Sequence, residues 1–98
     1  MEILKPLDLF VGEARIVGVE VERNGTKIVP ASASYRIVGN DGNEILPETP
    51  ATISGTKAYC LVSDADVTAS PGGYKLIWKI TYEQEVYITV QPIRVKAV

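Results

Sequence analysis

The chain has 98 residues, of which 46% are hydrophobic and 22% are charged, and it contains no histidine. This length predicts one domain over residues 1–98 with enough apolar side chains for a core. Without histidine, Ser-His-Asp and Cys-His catalysis and most catalytic zinc sites are excluded. The net charge of −2 and the scattered basic residues argue against nucleic acid as a partner.

The N-terminal residues do not read as a signal peptide, because Glu2 and Pro6 stand where a basic start and an apolar run belong. No uninterrupted apolar run reaches the roughly 20 residues that a membrane helix needs. Cys60 is the one cysteine, so an intrachain disulfide is excluded. We therefore expect no membrane partner, and a protein that is cytoplasmic or is assembled in the cytoplasm into something larger.

Period-two alternation at the start of the chain predicts strands and not helices. Apolar residues at alternate positions mark the first two: Leu7, Leu9, Val11, Val17, Val19 and Val21. Asn24-Gly25 then predicts a tight turn, because this pair tolerates positive φ. A short strand over 26–29 follows and ends at Pro30.

The middle of the chain continues the same pattern. Alternation over 33–37 predicts a strand, and the glycine- and asparagine-rich segment 39–43 predicts a turn. The segment 44–50 contains two prolines, which cannot donate to a central ladder, so it should be an edge strand or a loop. Strands are predicted over 51–54 and 56–62, on either side of a glycine.

One helical turn is expected near residues 63–68, with Ser63 as its cap and Asp66 three residues further on. The glycines that follow should end it. About seven or eight short strands, with a turn signal roughly every ten residues, predict an all-β fold: an antiparallel β-sandwich.

The last two strands predict a hairpin with a defined register. On the first strand one face carries Tyr74, Leu76, Trp78, Ile80 and Tyr82. The apolar set of the returning strand is Val86, Ile88 and Val90. Because paired residues share a face, we expect Tyr82 opposite Val86 and Trp78 opposite Val90, with a loop over 83–85. A bulge at Gln91-Pro92 would then bring the later apolar residues back inward.

In that register the outward face of the hairpin carries six residues: Ile77, Lys79, Thr81, Tyr87, Thr89 and Gln91. This face has little charge for an acidic chain, and interface centres are depleted in charge and enriched in tyrosine. It is therefore the predicted partner-binding surface, with Tyr87 as its anchor. The alternative is an ordinary sheet surface, since exposed apolar residues are common on folded proteins.

Two resemblances follow from the hairpin. Gly72-Gly73-Tyr74 resembles the E–F corner of immunoglobulin-like sandwiches, although Leu76 stands where antibody domains have a cysteine. The segment 71–95 contains a Pro-Gly-x-Tyr turn that leads into a Tyr-x-x-x-Trp strand. Mainly through this segment, residues 5–96 resemble in strand order the small immunoglobulin-like proteins of tailed phages and prophages. This resemblance implies a structural protein of a phage or prophage particle, located in the cytoplasm or in the virion.

The residues that could be a reactive thiol or calcium ligands are explained by structural roles. Cys60 alternates with apolar residues, which predicts a buried side chain and not a reactive thiol. Asp64, Asp66 and the acidic turn 40–44 lack the spacing of a calcium loop, and capping and turn formation explain them. We expect no metal and no cofactor.

Trp78 lies on the predicted core face, which favours a structural role over a sugar-stacking platform. The sequence therefore predicts a non-catalytic structural or interaction protein that acts by protein–protein contact. The alternative is a β-sandwich module that binds carbohydrate or another ligand, which an exposed Trp78 would favour. An enzyme is the least favoured class.

Overall fold

Ten strands and no helix make up the regular structure of residues 7–63 and 72–97, the part of the chain that the computed structural model describes. In chain order they are β1 (Leu7–Phe10), β2 (Arg15–Glu20), β3 (Glu22–Arg23), β4 (Thr26–Lys27), β5 (Ser32–Gly39), β6 (Glu44–Pro50), β7 (Thr52–Ser54), β8 (Lys57–Val62), β9 (Gly72–Tyr82) and β10 (Glu85–Lys96). The all-β prediction is confirmed. The strand count exceeds the expected seven or eight because short pieces such as β3 and β4 separate from their neighbours.

These strands form two sheets and a small hairpin. The larger sheet has the order β1-β10-β9-β5-β6, the smaller has the order β2-β8-β7, and β3 pairs with β4. The C-F-G and B-E-D orders of immunoglobulin-like sandwiches are the same as β5-β9-β10 and β2-β8-β7. The chain therefore folds as the expected sandwich.

The expectation of purely antiparallel pairing is wrong for β1, which runs parallel to β10 with Leu7 opposite Ile93 and Leu9 opposite Val95. Parallel pairing is open to these two strands because they come from opposite ends of the described chain and no hairpin joins them. Arg94 reinforces the pairing by donating to both carboxylate oxygens of Asp8, at 2.8 and 3.2 Å.

The core lies between the two sheets and follows the predicted alternation. Its buried residues are Leu9, Val17, Val19, Val21, Ala33, Tyr35, Ile37, Ala58, Cys60, Val62, Leu76, Trp78, Ile80, Ile93 and Val95. Successive side chains of a strand point to opposite faces, so period-two spacing places each apolar set on the inner face. Burial of Cys60 agrees with its predicted structural role.

The tight turns also agree with the sequence. Asn24 and Gly25 have φ values of 53° and 80° and close the β3–β4 hairpin. β6 is an edge strand, as its two prolines required, and its pairing with β5 contains register shifts. The helical turn expected near residues 63–68 lies outside the described residues apart from Ser63, which is not helical.

The hairpin register is where the prediction fails. Tyr82 pairs with Glu85 and Trp78 with Thr89, so a two-residue turn, Glu83-Gln84, replaces the expected loop over 83–85. Pairing continues without interruption through Pro92, so the expected bulge is absent from this hairpin. Glu83 makes the shorter turn possible by adopting a φ of 54°.

None of the described residues belongs to a helix with the length and apolar character needed to cross a membrane.

Candidate interaction surface

The shift of register turns the apolar side chains of β10 to the outside of the larger sheet. Val86, Ile88 and Val90, which we call the β10 apolar row, lie opposite Thr81, Lys79 and Ile77 on β9. A slip of one residue moves a whole side-chain set to the other face of a sheet. Val86 is 53% exposed and Ile88 is 47% exposed, so two of these side chains contact solvent over about half of their area.

The outward face combines this row with the outward residues of β9. Ile77 is half-buried beside Val90, and Lys79 stands beside Ile88. A shallow hollow at this point is lined by residues of four strands, including Arg36, Glu48, Ile77, Lys79 and Ile88. The surface thus has an apolar centre over β9 and β10 and polar residues on the β5 and β6 side.

The charged side of this surface contains one ion pair between strands that are not neighbours. Lys79 Nζ lies 3.8 Å from Glu48 Oε1, and both side chains are about half exposed. An exposed pair of this kind contributes little to stability. It does place opposite charges next to the apolar row, where they can orient a partner.

Three of the six predicted surface residues lie on the other face of the sheet. Tyr87 packs against the core, and Thr89 is half-buried opposite Trp78. Gln91 lies beside the same indole, and its Oε1 accepts a hydrogen bond from Trp78 Nε1 at 3.5 Å. The predicted surface therefore keeps Ile77, Lys79 and Thr81 as outward neighbours, while Tyr87, Thr89 and Gln91 cannot share a partner surface with them.

Tyr87 also belongs to a polar cluster at the turn end of the hairpin. Its hydroxyl donates to the Glu85 carboxylate, and this hydrogen bond raises the pKa of Tyr87. Glu85 also pairs with Arg23 of β3, whose guanidinium carbon lies 5.8 Å from the centroid of the Tyr82 ring. The cluster ties the small β3–β4 hairpin to the end of the larger sheet.

The sequence contained a signal for the true register that alternation at Val86, Ile88 and Val90 obscured. Ile93 and Val95 are core residues at odd positions, and an unbroken strand continues that set to Gln91 and beyond. A buried tryptophan needs an acceptor for its N–H, and Gln91 supplies it. The need of a buried Trp78 for an acceptor is therefore the sequence signal that places Gln91, and with it the odd-numbered residues of β10, on the inner face.

Trp78 is completely buried, so it cannot form a sugar-stacking platform on the surface. Its ring packs against Tyr35, with centroids 6.0 Å apart and planes tilted by 47°. Such tilted pairs are favourable in cores. The indole is part of the sandwich interior, as the sequence predicted.

In the acidic turn 40–44, the side chain of Asp41 makes hydrogen bonds within the turn. The Asp41 carboxylate accepts from the backbone N–H and the side-chain amide of Asn43, at 3.0 and 2.7 Å. Asp64 and Asp66 lie outside the described residues. Within residues 7–63 and 72–97 no three His, Cys, Asp or Glu side chains are grouped in a way that could hold a metal ion.

A second exposed apolar pair lies on the outer face of the smaller sheet. Ile16 and Leu61 are opposite each other on β2 and β8 and are 71% and 52% exposed. The neighbouring Tyr59 covers Gly18, where an added Cβ would lie 2.7 Å from the ring. This pair belongs to the smaller sheet, whereas the β10 apolar row belongs to the larger one.

Comparison with solved structures supports the topology. A structure of the CBM51-2 and INT domains of Clostridium perfringens ZmpB aligns with 93% of this chain, at 22% identity and a TM-score of 0.62. A family 123 glycoside hydrolase from the same organism aligns with 98%, at 12% identity and a TM-score of 0.62. A chimeric titin Z1Z2 carrying a KLER peptide from decorin aligns with 96%, at 14% identity and a TM-score of 0.55. The chain is an immunoglobulin-like β-sandwich.

This immunoglobulin-like domain spans only 18% and 23% of the two clostridial chains, but 88% of the titin chimera. At these identities the likeness concerns the fold, which hosts many unrelated functions. No family model matches the sequence, and no curated protein matches it either.

Proposed function

We propose that this domain is a non-catalytic interaction module that binds protein through the outward face of β9 and β10. The observation that carries the proposal is the β10 apolar row, with Val86 and Ile88 about half exposed in the same sheet that buries Trp78. Clustered exposed apolar side chains with polar residues beside them are typical of protein-binding surfaces.

The location of the row supports a functional reading. β-branched side chains favour strands, but threonine would meet that preference at an exposed position without presenting apolar area to water. Three apolar residues at successive outward positions therefore need a reason other than strand formation. A partner that covers them supplies it, with Ile77 at the centre of the contact and Lys79 and Glu48 beside it.

The setting that we propose is a phage or prophage particle, in which the domain contacts a neighbouring structural subunit. Its support is the resemblance of segment 71–95 to the small immunoglobulin-like proteins of tailed phages. The three similar solved structures name no phage protein. Genes next to this one should encode capsid, portal or tail proteins, and a neighbourhood of metabolic genes would contradict the particle setting.

The binding surface is tested by site-specific photo-crosslinking in cells that produce the protein. A photoreactive residue at Ile88 should give a covalent protein adduct of defined mass, and Ile77→Lys should reduce its yield because it places a charge at the centre of the contact. Leu61 is a matched control, since it is 52% exposed but lies on β8 in the smaller sheet. Equal adducts at both positions, or none at Ile88, would contradict the proposal.

A further inference from the structure

The hollow on the outward face of the larger sheet has a polar wall and an apolar wall. On β5, Arg36 lies opposite Ile77 and Ser34 lies opposite Lys79, while Ile88 of β10 lies on the other side of Lys79. Directly paired side chains share a face and have Cβ atoms about 5 Å apart. A guanidinium and a hydroxyl on β5 therefore face the same hollow as two isoleucines on β9 and β10.

The size of the hollow indicates what can enter it. Its volume is about 200 Å³. Pockets for drug-sized ligands have volumes of roughly 300–1,000 Å³ and bury most of the ligand. This shallow hollow is smaller, so it is suited to one side chain of a protein partner and not to a ligand of that size.

One cation in the hollow has no counterion. Of the three charged side chains that line it, Lys79 and Glu48 form the ion pair described above. Arg36 is exposed and forms no ion pair with any of the described residues. The other three arginines of the chain each form an ion pair within it, namely Arg15, Arg23 and Arg94. The hollow is therefore locally positive on a chain whose net charge is −2.

A carboxylate is the group that complements this arginine. The planar guanidinium of Arg36 can bind both oxygens of a carboxylate with parallel hydrogen bonds. The apolar wall makes such a pair stronger, because a partner that covers Ile77 and Ile88 also removes water from around the charges. Nucleic acid is a poorer match, since its phosphates need several cations and only one is unpaired here.

We propose that the partner protein places an aspartate or glutamate side chain in this hollow, where its carboxylate binds Arg36 while its apolar neighbours cover the β10 apolar row. The inference rests on the proposed function, because it names the chemistry of the partner that meets this face. The Ser34 hydroxyl, which has no side-chain hydrogen bond with the described residues, can donate to the same carboxylate. Glu48 opposes the incoming charge, which gives the proposal a second test of opposite sign.

The yield of the photo-crosslink at Ile88 tests the charge requirement. Arg36→Gln should lower the yield by about tenfold or more at limiting partner concentration, because the partner's carboxylate is then covered without a cation. Glu48→Gln should raise the yield, since it removes a negative charge beside the incoming one. Lys57→Gln is the control and should change nothing, because Lys57 is exposed on β8 in the smaller sheet. Circular dichroism should be the same for all three variants, whose substitutions are on the surface.

Carbodiimide coupling tests the chemical identity of the partner group, since this reagent joins an amine directly to a carboxylate. Arg36→Lys keeps the positive charge and supplies the amine, and Glu48→Gln in the same chain removes the carboxylate that lines the hollow. Mass spectrometry of the digested product should show residue 36 joined to an aspartate or glutamate of the same protein that the Ile88 adduct contains. Lys57 is the internal control and should not give this product.

Two results would overturn the inference and leave the proposed function in place. One is a protein adduct at Ile88 whose yield is the same in Arg36→Gln as in the parent. The other is coupling of residue 36 only to acids of this chain, such as Glu2 or Asp64, which would mean that the chain itself fills the hollow. An Ile88 adduct that a nuclease shortens, or the absence of any adduct, would contradict both the inference and the proposed function.

Discussion

At the scale of single residues, Trp78 shows how one side chain organises the core. It is fully buried, packs against Tyr35 and donates to Gln91. We expect Trp78→Ala to lower the free energy of unfolding by about 3–5 kcal/mol, because the cavity cannot close around a deleted indole. Chemical denaturation measures the loss, and Trp78→Phe, which retains more volume, should cost less. Emission of the parent should be blue-shifted, and readily quenched red emission would contradict a core position.

Gly18 and Tyr59 form a second coupled pair at this scale. The Tyr59 ring lies over Gly18 on the neighbouring strand, an arrangement in which an aromatic ring shields the bare backbone of a glycine. Gly18→Ala would place its Cβ 2.7 Å from the ring, so the ring must move. We expect Gly18→Ala to destabilise the parent but to cost about 1 kcal/mol less in a Tyr59→Ala background. Additive effects in the double-mutant cycle would contradict this contact.

At the scale of elements, the β9–β10 turn is the feature that decides which side chains face outward. Glu83 has a φ of 54°, a conformation that costs an ordinary residue about 1 kcal/mol but is open to glycine. Glu83→Gly should therefore raise the melting temperature, although an exposed ion pair with Arg23 is lost.

Gln84→Gly is the control for this prediction, because Gln84 is not among the described residues with positive φ. It should be neutral or destabilising, since glycine gains nothing there and loses more entropy on folding. A stabilising effect at Gln84 alone would mean that the turn is not the one seen here.

At the scale of the whole molecule, stability should be distributed according to sheet position. β9 pairs on both sides along most of its length, with β10 and with β5, whereas β6 is an edge strand with irregular pairing. We expect hydrogen exchange to be slowest for the amides of β9 and much faster for those of β6 and the β3–β4 hairpin. Mass spectrometry of exchanged peptides provides the measurement, and equal protection of β6 and β9 would contradict the expectation.

For the molecule as a whole, the fold alone says little about function. The immunoglobulin-like sandwich is shared with chains that are at most 22% identical in the comparisons above. Function must therefore come from surfaces that are specific to this sequence. We propose the outward face of β9 and β10 as such a surface, because its exposed Val86 and Ile88 are not part of the core.

The sequence by itself determined the all-β class, most of the core and the tight turns, because period-two alternation and residues such as Asn24 and Gly25 act locally. Tertiary structure decided the parallel pairing of β1 with β10 and the register of the last hairpin. Alternation in β10 is ambiguous, since an apolar set at even positions changes to one at odd positions beyond Pro92. In the folded protein the odd-numbered residues of β10 face inward. Ile93 and Val95 are buried, and Gln91 accepts a hydrogen bond from Trp78. These contacts join residues distant in sequence, so alternation within one strand could not reveal that the apolar row lies outside.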